Sequence, residues 1–309
     1  MSTKPIQTEA DGQRLTLSNL EKVLYPRTGF TKGEVLDYYA RVADVMLPYL
    51  RRRPATFRRF PNGVEKTSFY VKHVPSNPPS WVQTILVPAK EHPEEPVEYV
   101  SVDDRPTLLW AANLAALEFH VPLWHVVRGK EVPTPPDHMV FDLDPGPGTT
   151  IAECCVVARW IAQRVGRDKI FAKTSGSKGL QLYVRVTRTS WAKASERAHE
   201  LALAVEKDHP DRVVTNMKKS LRNGKILIDW SQNSPAKTTI AAYSLRGREE
   251  PTVSTPVSWD EVDQCASSGV ASSLSFDAAS VMARLDTLGD LMAPLLGSRL
   301  SKPKGVKES

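Results

Sequence analysis

The segment His138-Met139-Val140-Phe141-Asp142-Leu143-Asp144-Pro145-Gly146 places two carboxylates two residues apart at the end of an apolar run. Successive side chains of a strand point to opposite faces, so Asp142 and Asp144 share one face while Phe141 and Leu143 share the other. Two anions this close repel, and taking them partly out of water costs several kcal/mol unless a cation or a proton compensates. The pair is therefore either a hard-metal site or a solvated strand end. A third carboxylate, Asp229, ends the run Lys225-Ile226-Leu227-Ile228-Asp229-Trp230, as a buried strand does when it delivers a ligand to a sheet edge. Three carboxylates on neighbouring strands can hold two octahedral divalent ions and leave positions open for substrate phosphates. That is the arrangement for in-line phosphoryl or nucleotidyl transfer. Taken alone, Asp229 reads equally as a strand-terminal turn residue.

Between these strands lies Thr174-Ser175-Gly176-Ser177-Lys178-Gly179. Glycines flanking a lysine let backbone N–H groups converge on an anion while the ammonium closes on it. The spacing is not that of a P-loop, and a plain hairpin turn with a solvated lysine fits as well.

The elements that must position these residues are visible in the hydrophobic spacing. Lys169–Lys173 and the alternating Leu180–Val186 read as strands on either side of the Ser175 turn. Helical spacing runs from Glu34 to Leu50, with Val35, Leu36, Tyr39, Val42, Ala43, Met46 and Leu47 on one side, and again from Thr107 to Glu118. After the Asp142 strand, Pro145-Gly146-Pro147-Gly148 breaks the chain, and Thr150-x-x-Glu153 caps a helix to about Val165, on which Cys154 and Cys155 are small core residues. Ser190–Lys207 forms a further amphipathic helix, and the proline-rich loop from Val74 to Pro96 is expected to wrap the surface over Trp81. Ser18-x-x-Glu21 and Thr31-x-x-Glu34 both read as capping boxes, which puts Asn19, Lys22 and Lys32 in the first turns of two successive helices. Such N-termini offer free N–H groups and a positive dipole end to an anion.

In order and spacing, these motifs resemble one family, the archaeo-eukaryotic primase-type polymerases of bacterial end joining, which includes the polymerase domain of DNA ligase D and its stand-alone relatives. The likeness runs from about Leu15 to Leu296. Its segments include Lys22-Val23-Leu24-Tyr25-Pro26, Arg53-Pro54-Ala55-Thr56, Phe60-Pro61-Asn62-Gly63, His120-Val121-Pro122, Phe141-Asp142-Leu143-Asp144-Pro145, Ser175-Gly176-Ser177-Lys178-Gly179, Asp229-Trp230-Ser231-Gln232-Asn233 and Tyr243-Ser244-Leu245-Arg246-Gly247-Arg248. The resemblance implies that Asp142, Asp144 and Asp229 are catalytic and hold two ions, Mn²⁺ or Mg²⁺ with Mn²⁺ favoured, and that Asp229 serves mainly the ion at the primer 3′-hydroxyl. It implies that His120, Ser175, Lys178 and Arg246 surround an incoming NTP or dNTP, with Arg222 and Gln232 lining the same pocket. Asn19, Lys22 and Lys32 match a pocket for the 5′-phosphate of a downstream strand, and Phe69 and Tyr70 match an aromatic pair that stacks on a template base.

One departure stands out. The second motif of the family usually reads SGxKGxH, and here Gln181 occupies the histidine position. Gln donates a neutral hydrogen bond but cannot carry a proton or a positive charge toward phosphate, so the expectation is a slower or more metal-dependent enzyme.

Charge distribution agrees with a nucleic-acid partner. Residues 1–80 hold 13 Lys and Arg against 7 Asp and Glu, a surplus of 6 that equals the surplus of the whole chain, 41 against 35. Arg51-Arg52-Arg53 and Arg58-Arg59 interleave with Phe57 and Phe60, and Lys218, Lys219, Arg222 and Lys225 lead into the Asp229 strand; cations and aromatic faces in such order suit phosphates and bases, or equally a solvated face. No apolar run approaches the roughly 20 residues of a spanning helix, and the polar start lacks a signal-peptide core, so a cytoplasmic, nucleoid-associated protein without membrane contact is expected. Three cysteines in this spacing form neither a zinc pattern nor a disulfide framework.

The expected fold is α+β, with a mixed, largely antiparallel catalytic sheet flanked by helices and an N-terminal lobe that wraps it. The expected organisation is a flexible N-terminus over 1–12, a primase-polymerase domain over 13–297 divided near residue 135 into a DNA-end-binding part and a catalytic part, and a basic flexible tail over 298–309. The expected activity is template-directed filling of short gaps or broken ends, with ribonucleotides accepted, by a monomer. Gapped or broken duplex DNA, a separate ATP-dependent ligase and Ku are the partners the resemblance implies, since the chain lacks the length for an appended ligase. Two rivals share the carboxylate pattern: a haloacid-dehalogenase-type phosphohydrolase, against which Pro145 and the long preceding segment count, and a noncatalytic DNA-end binder.

Overall fold

The computed structural model describes residues 5–88, 95–127 and 132–297; the expected basic tail and part of the 74–96 loop lie outside these residues. Contacts divide the chain into two compact units, Met1–Thr134 with Thr238–Thr252, and Pro135–Lys237 with Val253–Ser309.

The first unit opens with β1 (Ile6–Ala10) and β2 (Gln13–Leu17), an antiparallel hairpin. Its two-residue turn is Asp11-Gly12, both at positive φ (44° and 80°), the conformation that an Asp-Gly pair favours. Residues 6–10 are thus ordered strand, where a flexible terminus was expected. The strand is exposed along almost its whole length, so hydrophobic periodicity could not reveal it and only the turn chemistry does.

β3 (Val23–Tyr25) and β4 (Phe30–Thr31) lead into α1 (Lys32–Leu50). The Thr31 capping box is formed: the Glu34 N–H donates to the Thr31 hydroxyl at 3.2 Å, and the Thr31 N–H donates to the Glu34 carboxylate at 2.7 Å. The Ser18 box is not. Asn19 adopts a left-handed conformation at φ 55°, and the stretch between β2 and β3 is too short for a helix. It is a turn whose carbonyls cap α1: Lys32 N–H donates to the Lys22 carbonyl and Gly33 N–H to the Leu20 carbonyl.

Beyond α1 come β5 (Pro54–Arg59), β6 (Phe69–Val71), β7 (Thr84–Val87), β8 (Val97–Ser101), α2 (Arg105–Asn113) and β9 (Ala116–Val121). α2 ends earlier than helical spacing suggested. Ala115 turns to φ 60°, and Ala116 starts a strand that carries Glu118 and His120. The proline-rich loop holds β7 and leaves Trp81 half-buried.

In the second unit, β10 (His138–Pro145), α3 (Ile151–Val165), β11 (Ile170–Thr174), β12 (Leu180–Arg185), α4 (Trp191–Asp208), β13 (Val213–Val214) and β14 (Ile226–Asp229) follow in order. The chain then rejoins the first unit for β15 (Thr239–Ile240), which pairs with β9, and finishes the second with β16 (Pro256–Val257), α5 (Trp259–Ser268) and α6 (Ala278–Leu288). The sheet of the second unit has the order β13-β14-β10-β12-β11-β16 and is antiparallel throughout except for β13 with β14. Together with the helices this is the mixed, largely antiparallel α+β architecture anticipated above.

α3 packs on β10 and β12, and α4 packs on β10 and α3. Met139, Val140, Phe141 and Leu143 of β10 are fully buried, as are Cys154 and Cys155 of α3. Apolar anchoring at this density leaves β10 little freedom to shift the carboxylates at its end. Upstream of Asp142, where β14 no longer pairs with β10, the Asn233 side chain takes over: its carbonyl accepts from Val140 N–H and its amide donates to Val140 C=O, both at 2.8 Å.

Candidate active site

Strand register builds the acidic cluster. Asp229 of β14 lies directly opposite Asp142 of β10, Asp142 lies opposite Gln181 of β12, and Gln181 lies opposite Lys173 of β11. Residues directly opposed in an antiparallel ladder face the same side, so these four side chains form one polar row across four strands, with Asp144 beside it. Asp142 is half-buried, and its carboxyl is pushed up to about 7 by burial and by Asp144, with a smaller push from Asp229; a Gln181 hydrogen bond and the Lys173 charge oppose this. Asp144 is raised by loss of solvent and by Asp229, against a lowering from Arg222.

Asp229 is held differently. One carboxylate oxygen accepts from the Ser231 N–H (2.9 Å) and hydroxyl (2.6 Å), the other from the Gln232 amide (2.9 Å), and Lys237 donates to the same Ser231 hydroxyl at 2.5 Å. With Asp229 turned toward this short turn, no three His, Cys, Asp or Glu side chains among the described residues close on one point. The donor set is nonetheless what hard divalent ions take: carboxylate oxygens on one face, with Asp142 and Asp144 crowded enough that the proton affinity of both is raised. The three residues fit such ions, which would relieve the repulsion.

The Ser175 loop joins β11 to β12 and is a closed turn. Ser175 N–H donates to the Gly179 carbonyl at 2.9 Å, and the Ser175 hydroxyl accepts from the N–H groups of Ser177 (3.3 Å) and Gly179 (3.1 Å). Lys178 is exposed at its tip. Two close approaches bring loops up to the acids. A Cβ on Gly179 would lie 2.4 Å from the Leu143 carbonyl oxygen and 3.5 Å from Asp144 Oδ1; one on Gly146 would lie 1.7 Å from the Arg222 carbonyl oxygen. Gly179→Ala is accordingly expected to cost about 1–3 kcal/mol by overpacking against backbone. It should also slow catalysis, because the displaced strand carries Asp144; a chemical-denaturation curve with the wild-type midpoint would refute this.

In the first unit the organising residue is Glu118, which motif reasoning missed. Its side chain is fully buried and accepts from His120 Nε2 at 2.9 Å and from the Gly247 N–H at 3.0 Å, with Arg58 at 3.4 Å and Arg246 at 3.5 Å. Burial alone would raise its proton affinity, but the His120 hydrogen bond, the Arg246 and His120 charges and the Gly247 N–H outweigh it and hold Glu118 down at about 2. The available signal was Glu-x-His in a strand, which places both side chains on one face. Tyr70 meets His120 edge-on with ring centroids 5.8 Å apart and lies under the Arg58 guanidinium at 5.5 Å; Arg59 lies over Phe69 at 5.4 Å. Phe69 and Tyr70 are exposed. Three buried tyrosines pin the segment bearing Arg246: Tyr25 donates to the Arg246 carbonyl (2.8 Å), Tyr38 to the Tyr243 carbonyl (2.8 Å), and Tyr39 accepts from the Leu245 N–H (3.0 Å).

Lys22, Lys32 and Arg59 form a cationic group. Lys32 is buried and donates to the Ser18 carbonyl at 2.6 Å; burial, then Lys22 and Arg59, bring its ammonium down to about 8. Lys22 donates to Asn62 at 3.1 Å. Helix N–H groups contribute less here than the sequence suggested, since the turn carbonyls and Thr31 already occupy those of residues 32–34.

Comparison with known proteins places this geometry. Residues 31–292 match the family model described as LigD, primase-polymerase domain. The chain belongs to the LigD primase-polymerase family. Members of that family are nucleotidyltransferases of the polymerase class. The chain is 43% identical over 286 residues to the multifunctional non-homologous end joining protein LigD of Mycolicibacterium smegmatis, covering 92% of this chain and 36% of that protein. It is 30% identical over 253 residues to the bifunctional LigD of Bacillus subtilis, covering 81% of this chain and 39% of the relative. The polymerase domain of Mycobacterium tuberculosis ligase D, solved in complex with DNA, matches with TM-score 0.85 and 41% identity over 92% of this chain and 99% of that one. The chain thus spans well under half the length of these curated relatives. The LigD primase-polymerase assignment removes the phosphohydrolase rival, and so does topology: both neighbours of β10 run antiparallel to it, whereas a doubly wound phosphohydrolase sheet is largely parallel. Among the described residues no helix is long and apolar enough to cross a membrane.

Proposed function

We propose that the chain is a template-directed primase-polymerase that fills short gaps or broken DNA ends, accepts ribonucleotides and recognises a downstream 5′-phosphate. The observation that carries this is the placement of Asp229 opposite Asp142 with Asp144 alongside, three hard-oxygen donors on one face of an apolar-anchored sheet. Asp142, Asp144 and Asp229 would hold two ions, Mn²⁺ or Mg²⁺, whose bound chemistry is to activate the attacking hydroxyl and stabilise charge on the leaving group. Within the same unit, Lys178 at the loop tip and Arg222 beside Asp144 supply positive charge for a triphosphate, Ser175 shapes the turn, and Gln232 steadies Asp229. The resemblance assigns His120 and Arg246 to the nucleotide as well; supporting that assignment is their common anchor, Glu118. Exposed Phe69 and Tyr70, backed by Arg59 and Arg58, suit stacking on a template base. Asn19, Lys22 and Lys32 are assigned to the 5′-phosphate. A ligase and Ku are proposed as partners by the same likeness, since the matching relatives are end-joining proteins.

The test is extension of a primer across a short gap with Mn²⁺ and NTPs or dNTPs, with and without a 5′-phosphate on the downstream strand. Templated extension stimulated by the phosphate is expected; an inactive wild type under both Mn²⁺ and Mg²⁺ would overturn the reading. The phosphate effect carries its own pH signature. Lys32 is an ammonium below about 8 and loses its charge above it, so stimulation by the 5′-phosphate should fade between pH 7 and pH 9. Lys32→Gln should remove both the stimulation and its pH dependence. At sub-saturating DNA, where the charge of the free pocket governs binding, stimulation that holds constant to pH 9 would exclude Lys32 from the pocket.

A further inference from the structure

The row Lys173–Gln181–Asp142–Asp229 contains two residues to which the polymerase reading gives no task. Lys173 is 1% exposed, an ammonium within the sheet layer. Its Nζ donates to Gln181 Oε1 at 2.6 Å and to Ser254 Oγ at 2.7 Å, and Ser254 in turn donates to the Thr174 carbonyl at 2.9 Å. The Tyr183 hydroxyl also donates to Gln181 Oε1, at 3.3 Å.

An ammonium has donors only, so the Gln181 amide must turn its oxygen to Lys173 whichever way the amide would otherwise lie. Its NH₂ end is left to Asp142, directly opposite in the β10–β12 ladder, which accepts a hydrogen bond from it. We propose that Lys173 and Gln181 are positioning residues for the Asp142 carboxylate: Lys173 fixes the polarity of the Gln181 amide, and Gln181 holds Asp142 in place as a neutral donor. The proposal rests on the reading of Asp142 as a metal ligand.

It also bears on the departure at this position. A neutral imidazole at 181 would present its bare nitrogen to Lys173 and its N–H to Asp142, the same acceptor-to-donor polarity as the amide. A protonated imidazole would set a second buried cation against the first. Position 181 therefore calls for a neutral group that accepts on one side and donates on the other, which glutamine and histidine both satisfy. This argues against the slower enzyme expected from the sequence.

The test measures Mn²⁺ affinity of the metal-free protein by electron paramagnetic resonance at pH 8.5, together with kcat and nucleotide KM for gap extension. Gln181→His is expected within about twofold of wild type in all three. Gln181→Met, which neither accepts nor donates usefully, should weaken Mn²⁺ binding and lower kcat by about tenfold or more with KM little changed, the size typical for loss of a group that orients a metal ligand. Lys173→Met should weaken Mn²⁺ binding as well, although removing a cation beside a divalent-ion site would by charge alone tighten it. Tighter Mn²⁺ binding in Lys173→Met, or wild-type affinity in a folded Gln181→Met, would overturn the proposal, as would a Gln181→His enzyme changed more than about fivefold. Should Gln181→Met fail to fold, Lys173→Met and Gln181→His decide it. A wild type that binds no Mn²⁺ would instead sink the metal-site reading itself.

Discussion

Asp142→Asn should abolish templated extension, a loss of about a thousandfold or more, equivalent to roughly 4 kcal/mol of transition-state stabilisation, while making the metal-free protein more resistant to heat at pH 8. The two effects have one origin. In the folded chain the Asp142 carboxyl sits near 7, against an ordinary 3.8, because burial and Asp144 disfavour its charge. Between those values the folded state binds more protons than the unfolded state, so wild-type stability falls as pH rises from about 4 to about 7 and stays reduced above. The neutral amide of asparagine removes that penalty. Melting curves in a chelating buffer at pH 5 and pH 8 should therefore show the variant gaining on wild type at the higher pH, with the gap narrowing at the lower. A variant less stable than wild type at pH 8 would mean that the acids are not crowded as described. The same protein separates the remaining rival reading: a noncatalytic end binder would lose nothing measurable on Asp142→Asn, whereas a polymerase keeps DNA affinity and loses extension.

The third carboxylate is satisfied within its own turn. Asp229 lowers its own cost by accepting three hydrogen bonds from Ser231 and Gln232. On the proposed two-metal reading, an ion would compete with those donors, and Ser231 and Gln232 would then help set the metal affinity.

How much of this was readable from the chain depended on whether the signal was local. Asp-x-Asp at the end of an apolar run fixes face and strand by period alone, and Thr31-x-x-Glu34 and Thr150-x-x-Glu153 fix helix starts because a capping box is complete within four residues. Ser18-x-x-Glu21 has the same letters and fails, since the turn between β2 and β3 uses its carbonyls to cap α1 and leaves no room for a helix of its own. The β1 strand leaves no periodic signal because both its faces are wet, and helical spacing runs past the end of α2 because Ala and Leu suit either element until the left-handed Ala115 ends it. Register is the part that no local pattern holds. That Lys173, Gln181, Asp142 and Asp229 stand in one row follows from three separate strand pairings, and only the pairing turns a strand lysine and an odd glutamine into neighbours of Asp142.

Glu118 is the other residue that only the fold exposes, and its removal should be the most damaging single change to the first unit. Glu118→Ala strands three partners, Arg58, Arg246 and His120, whose interactions converge on one fully buried carboxylate. Breaking a buried ion cluster from one side typically costs about 3–5 kcal/mol, because the uncompensated charges remain. The pH dependence has the sign opposite to that of Asp142. Glu118 is held at about 2 in the folded chain, below its ordinary 4.5, so the stability it contributes is complete above about 4.5 and disappears as pH falls through 2. The stability gap between wild type and Glu118→Ala should accordingly be widest near neutrality and shrink in acid. Glu118→Gln keeps the shape and can still accept from Gly247 or from His120, but not hold both arginines, so it should fold with a smaller loss and a nucleotide KM raised by about tenfold, roughly 1.4 kcal/mol. If Glu118→Gln matched wild type in both melting temperature and KM, the carboxylate would be a bystander to the arginine and histidine it touches, and the assignment of Arg246 and His120 to the nucleotide would lose its structural support.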